Sequence, residues 1–312
     1  MKQQIKHTIK DKVSPRLIEK LKSFSPIGFE GIPLYHVLQQ FIEEIKKDNL
    51  SVRASSISFY FILAMFPSII FLFSLIPYIP IDNFDTSLFN FLAAIIPQNV
   101  FVVLQSTILD IVSVQRTGLV SINFFMAIFI ATNAVNSIMQ AFDKINPTFK
   151  KRNFIQKWLT SIKLLFLVNL QLIIAIVLII EGKTLVTMLL KLLHTDAYIV
   201  SISLSIVKFL IIAFCFLNIF SLIYYYGPAL KRKYKYFSIG ATFATIISMI
   251  TSYVFRIYTA YLNDFNRLYG SLGIIIVIMI WIYLNALVLL FGFELNNSIA
   301  LKKLEMSSDK EN

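Results

Sequence analysis

Cysteine is nearly absent: Cys215 stands alone inside an apolar run, so no disulfide framework and no cysteine metal site can form within one chain. Its simplest role is that of a small packing side chain. Histidine is almost as scarce, with only His7, His36 and His194 in 312 residues. Charged residues make up 15% of the chain, well under the usage of a soluble domain. No P-loop occurs, so ATP hydrolysed by this chain is not its energy source. No internal repeat stands out, and only 307–312 reads as a disordered tail.

Apolar residues fill the chain instead. They account for 57% of it, and the mean hydropathy is +0.73. Such values define an integral membrane protein. Six apolar runs are long enough to cross a bilayer: 54–79, 118–142, 159–182, 199–227, 237–262 and 272–300. The expected fold is therefore all-α and polytopic, with six transmembrane helices. Three parts follow from it: a cytoplasmic N-terminal segment over 1–53, a membrane domain over 54–300 and a short tail over 301–312. About fifty mostly polar residues precede the first span, so no cleavable signal is expected and that span directs insertion.

The net charge of +12 raises the question of nucleic acid, and the distribution of charge answers it. Of the 29 basic residues, 22 fall in the N-terminal segment, the tail and the loops after the second and fourth spans. Only four lie in the remaining loops, where Asp82, Asp85, Asp110, Glu181, Asp196 and Asp264 outnumber them. Lys163, Lys208 and Arg256 fall within spans. This alternation is the positive-inside pattern for cytoplasmic N and C termini. The charge is a topology signal; membrane lipids are the expected partners and nucleic acid is not.

Ahead of the first span, Leu34, Val37, Leu38, Phe41, Ile42 and Ile45 recur at helical spacing, while Glu43, Glu44, Lys46 and Lys47 take the other face. The pattern predicts an amphipathic helix on the inner surface, which either orients the first span or docks a partner. Between the first two spans, 87–115 is apolar but broken by Pro97, Asn99 and Asp110, which predicts two interfacial helices on the outer side. A shorter element of the same kind is expected over 184–193.

Polar side chains inside spans are costly and locate candidate functional positions. In the fifth span Thr242, Thr245, Ser248, Ser252, Arg256 and Thr259 fall in one arc of roughly 120° at 100° per residue. Hydroxyls in such a stripe either bond back to their own helix or line a path. In the second span Asn133, Asn136, Gln140 and Asp143 align at spacings of three, four and three. These amides either join helices or line a vestibule. Lys208 in the fourth span points inward beside Ser201 and Ser205 or snorkels outward, and Arg256 carries the same alternatives. In the last span Asn285, Gly292 and Asn296 share a face near Trp281, whereas Glu294 points away and is expected to meet Lys302, Lys303 or the 231–235 loop. The candidate pathway residues are Asn133, Asn136, Lys208, Thr245, Ser252, Arg256 and Asn285.

Several stretches carry a family resemblance. The first span reads RASSISFYFILAMFPSIIFLFSLI, with hydroxyl residues after Arg53 and Pro67 in mid-membrane. Together with YGPALKRKYKYFSIGA from Tyr226, YGSLG from Tyr269 and WIYLNALVLLFGFELN from Trp281, it resembles the YihY/BrkB family of bacterial inner-membrane proteins. The resemblance covers about residues 35–300 and implies six helices with both termini in the cytoplasm. Some members carry an old ribonuclease BN label. A metal-dependent nuclease needs clustered His and carboxylate ligands, and the predicted topology puts His7 and His36 on one side of the membrane and His194 on the other. An enzyme is therefore not expected, nor any cofactor. The family's association with virulence and serum resistance implies a cell-envelope role.

Two functions remain open. One is a transporter or flippase-like protein for an anionic lipid or lipid-linked envelope component, drawn by Lys208, Arg256 and Arg267. The other is a non-transporting scaffold in the cytoplasmic membrane that recruits envelope-synthesis or division proteins.

Overall fold

A computed structural model describes residues 15–26, 28–75, 117–144, 148–192, 197–261 and 271–311. The expected helices of 87–115, together with His7, His194, Arg267 and Tyr269, lie outside the described residues.

Everything described is helix or short connection. The elements are α1 (Pro15–Ser23), α2 (Leu34–Lys47), α3 (Leu50–Leu75), α4 (Thr117–Phe142), α5 (Phe154–Leu192), α6 (Ala197–Tyr226), α7 (Ile239–Tyr261) and α8 (Ser271–Glu311). A bilayer enforces this choice, because only a helix satisfies every backbone N–H and C=O within its own segment. Among the described residues four stretches, in α4, α6, α7 and α8, are long and apolar enough to cross a membrane by length and composition. Pro67 sits inside α3 without ending it. The break expected near 183 does not occur: α5 runs unbroken through 39 residues to Leu192. Lys183 and Lys191 are good helix formers, and nothing in that stretch stops a helix.

The long helices close a ring. Each of α3 to α8 packs on its neighbour in sequence, and α8 returns to pack on α3. The N-terminal pair α1 and α2 attaches to this ring through α8. At one end α2, residues 143–144 and 148–153, the connection over 227–238 and the last third of α8 all gather; we call it the terminal end. The core is concentrated there. Phe142, Phe149, Phe220, Tyr224 and Phe293 close the centre, with the Phe142 and Phe293 rings stacked at 4.3 Å. Away from it, large apolar side chains such as Ile206, Phe209, Ile250 and Val254 are exposed on α6 and α7. Faces of this kind suit lipid rather than water.

Two corrections concern faces. On α2 the carboxylates point inward: Gln40, Glu43 and Glu44 are buried with Tyr35 and Val37, while Leu38 is exposed. On α8 Glu294 is fully buried, not directed at Lys302 or Lys303. Both follow from one fact. At its terminal end α8 is enclosed by α2, α3 and α4 as well as by α7, so opposite helix faces both meet protein.

Candidate functional site

Lys144 lies two residues past the end of α4 and reaches into this enclosure. Its Nζ lies 2.5 Å from Glu294 Oε2, 2.9 Å from Glu44 Oε2 and 2.9 Å from Asp48 Oδ2. Asp48 also pairs with Arg53 at 3.4 Å, and Arg53 Nη1 donates to the Ala141 carbonyl at 2.7 Å. Gln40 and Asn297 each donate to Glu44, at 3.1 and 3.4 Å. One ammonium thus holds together α2, the turn after it, α4 and α8. Burial opposes its charge, but the carboxylates of Glu294, Asp48 and Glu44 outweigh that cost and hold its pKa above the ordinary value. A cavity of about 530 Å³ opens beside the cluster, lined by Gln40, Glu44, Asp48, Arg53, Lys144 and Glu305 among others.

The seam between α7 and α8 is made by small residues. Gly240 and Gly292 cross so closely that a Cβ on Gly240 would overlap the Gly292 carbonyl oxygen, and one on Gly292 would lie 2.6 Å from the Gly240 oxygen. Asn296 locks the crossing: its Oδ1 accepts from the Gly240 N–H at 2.8 Å and its Nδ2 donates to Ser238 Oγ at 2.8 Å. Ser238 caps α7 by accepting from the Ala241 N–H at 3.2 Å. The face of the last span that carries Gly292 and Asn296 therefore meets the bundle.

Among the candidate pathway residues the structure distinguishes three environments. Thr245 is buried and donates to the Ala241 carbonyl at 2.8 Å, and Asn285 donates to the Trp281 carbonyl at 2.9 Å, so both bond to their own helix. Asn133 and Asn136 are half-buried on α4, and Asn136 Oδ1 is a buried acceptor with no partner among the described residues. Ser252 Oγ is likewise buried and unpartnered, as are Ser248 Oγ, Thr132 Oγ1 and Ser221 Oγ. Helical rise places Ser221, Asn136, Thr132, Ser248 and Ser252 in one band, about 8–20 Å from the terminal end of their helices. Lys208 and Arg256 are exposed in the far halves of α6 and α7. The Arg256 guanidinium lies 5.4 Å from the Tyr253 ring centre. The remaining members of the second-span stripe separate: Gln140 is exposed, and Asp143 pairs with Lys157 at 2.5 Å.

The lysine cluster was not legible in sequence. Lys144 is one of several cations in a loop, and Glu44 reads as the polar face of α2. Only the length of the apolar run up to Phe142 hints that a cation two residues later is held close to the core.

This is a multi-helix membrane protein, closed at one end by aromatic rings and a buried ion cluster. The chain belongs to the family described as Virulence factor BrkB, whose model matches residues 41–312. It is similar to a protein named only as ribonuclease-like, YfkH, of Bacillus subtilis, at 26% identity over 251 residues, 80% of this chain and 90% of the relative. A UPF0761 membrane protein of Idiomarina loihiensis is 26% identical over 174 residues, 55% of this chain and 60% of that protein. UPF0761 membrane proteins of Coxiella burnetii match at 26% over 81 residues, 26% of this chain and 29% of theirs. No solved structure matches.

Proposed function

We propose that the chain is a six-span, non-enzymatic transporter of the bacterial cytoplasmic membrane, with both termini inside, which moves an anionic lipid or lipid-linked envelope component. The observation that carries this reading is the band of buried, unpartnered polar atoms: Thr132 Oγ1 and Asn136 Oδ1 on α4, Ser221 Oγ on α6, and Ser248 Oγ and Ser252 Oγ on α7. Polar groups in an apolar bundle demand partners, and hydroxyls used only for packing bond back to their helix as Thr245 does. A band without such bonds on three helices fits a hydrated path. Below it, the aromatic core and the Lys144 cluster form the closed inner gate.

Lys208 and Arg256 supply the attraction for an anionic headgroup. They lie 18 and 17 residues from the terminal ends of adjacent helices, a rise of about 26 Å each, and so sit at one height. A scaffold role has less support, because α2, the segment that would dock a partner, already lays Tyr35 and Val37 into the protein.

Two measurements test the reading. In a Cys215→Ser background, Ser248→Cys and Ser252→Cys should react with a membrane-impermeant thiol reagent, whereas Thr245→Cys should be slower by about tenfold or more; silence at all three would leave the stripe as packing. In proteoliposomes, Lys208→Gln/Arg256→Gln should slow translocation of labelled anionic lipid at unchanged thermal stability. Unchanged translocation would overturn the role given to these cations.

A further inference from the structure

Two connections that are far apart in sequence are clipped together at the terminal end. Lys150 donates its backbone N–H to the Ala229 carbonyl at 2.8 Å, and Lys231 donates to the Thr148 carbonyl at 2.9 Å, forming an antiparallel bridge between Phe149 and Leu230. Arg152 fastens the clip from below, donating to the carbonyls of Gly227 at 2.7 Å and of Tyr226 and Pro228 at 3.2 Å. Its charge is used structurally. Lys150, Lys151, Lys231, Arg232 and Lys233 are exposed, and none of the five side chains is bonded to a backbone carbonyl of the clip as that of Arg152 is.

The clip thereby produces a rigid basic ledge. One acid, Glu30, lines the cavity beside the ledge; it pairs with Lys303, reaches Lys235 at 4.0 Å and interacts with Arg232 only at longer range. Lys231, Arg232 and Lys233 form no ion pair with any described carboxylate. Lys233 lies over the Tyr225 and Tyr226 rings, at 4.2 and 4.8 Å, and Lys163 covers Tyr226 at 4.2 Å. Ring contacts position an ammonium group and leave its N–H donors available. A cavity of about 490 Å³ opens among these residues, and its wall changes from Lys231, Arg232 and Lys233 to Phe237, Ile239 and Leu304.

We propose that this ledge binds the phosphate of an anionic glycerophospholipid from the leaflet on the same side as the termini. Unpaired cations meet the phosphate and the apolar wall meets the start of the acyl chains. The occupant follows from where the ledge stands. It stands at the starts of α5 and α7, where Phe154 at 79% and Ile155 at 69% on α5, and Phe237 at 55% just before α7, are exposed. Tyrosines beneath the cations complete an interfacial belt. Basic pockets between spans at that depth meet lipid headgroups before any soluble anion. RNA would also be drawn by the charge, but it cannot occupy the apolar wall.

The inference rests on the membrane placement proposed above and not on transport. It is tested by native mass spectrometry of the full chain in mild detergent, titrated with phosphatidylglycerol or phosphatidylcholine of equal chain length. Wild type should retain phosphatidylglycerol preferentially. Lys231→Gln/Arg232→Gln/Lys233→Gln should lose at least about tenfold of that preference, since each cation near such a surface is worth roughly fivefold. Lys20→Gln/Lys46→Gln/Lys47→Gln, which removes the same charge elsewhere at this end, should keep it. If the first triple variant does not fold, Lys231→Gln and Arg232→Gln singly should each lose about three- to fivefold. Equal losses in the two triple variants would overturn the site, as would no preference in wild type or displacement of lipid by millimolar inorganic phosphate. So would tighter binding of a single-stranded RNA oligonucleotide than of phosphatidylglycerol. Because binding is counted at equilibrium, the result stands or falls independently of any translocation assay.

Discussion

Lys144 is the residue on which most of the terminal end depends. Its ammonium faces Glu44, Asp48 and Glu294, with Arg53 on Asp48 and Lys47 on Glu44 sharing the load. Removing one partner of a buried ion pair leaves uncompensated charge, which is costlier than the pair is stabilising. Lys144→Met should therefore destabilise the protein by about 3–5 kcal/mol in a detergent-solubilised unfolding assay. Adding Glu294→Gln should recover part of that loss, because one of the stranded carboxylates is then neutral. Additive losses in the double variant would argue against a direct pair. Glu30 gives a pH signature. The Lys303 ammonium bonded to it, aided by Lys235 and Arg232, outweighs desolvation and holds its carboxyl below the ordinary 4.5. Its folded-state pKa is depressed, so its contribution is present above 4.5 and lost as pH falls through the lower folded value. Wild type should lose stability below about pH 4.5 with a component that Glu30→Gln lacks.

At the scale of elements, the α7–α8 crossing is set by two glycines and one asparagine. The approach leaves no room for a side chain, since a Cβ at residue 240 meets backbone and not a movable group. Gly240→Ala should destabilise by about 1–3 kcal/mol or prevent assembly, read as a lowered thermal transition or aggregation in size-exclusion chromatography. Asn296→Ala removes both the tie to the start of α7 and the partner of Ser238, at a cost of about 1–3 kcal/mol. A milder effect of Gly240→Ala than of an exposed Ser→Ala control would show that the crossing is looser than described. On α2 the same reasoning explains why its polar face is internal. Carboxylates can be buried where a cation is provided, and Lys144 provides it.

On the scale of the whole molecule, the positions of the helices were written in the sequence. Apolar runs of membrane length have one physical solution, so α4, α6 and α7 begin and end within about two residues of the expected runs. Glu181, Gly182 and Lys183 resemble a boundary in sequence, yet α5 runs through them, because one glycine weakens a helix without ending it. The face carrying Gly292 and Asn296 was also legible, since small and amide side chains in a span mark contact with another helix. Glu294 was not. Periodicity assigns one buried face to a helix, and α8 has two at its terminal end because four other helices surround it. Which stripes lack internal bonds was equally hidden: Thr245 and Ser252 read alike in sequence, yet one hydroxyl bonds to its own backbone and the other finds no partner. By itself, then, the sequence determined an all-helical membrane protein of this family, because hydrophobic length and charge alternation act locally along the chain. The tertiary structure decided what those local rules leave open: that residues 44, 48, 144 and 294 form one ion cluster, and that two distant basic loops form one ledge. Such juxtapositions depend on which helices are neighbours, and no local pattern of residues specifies that.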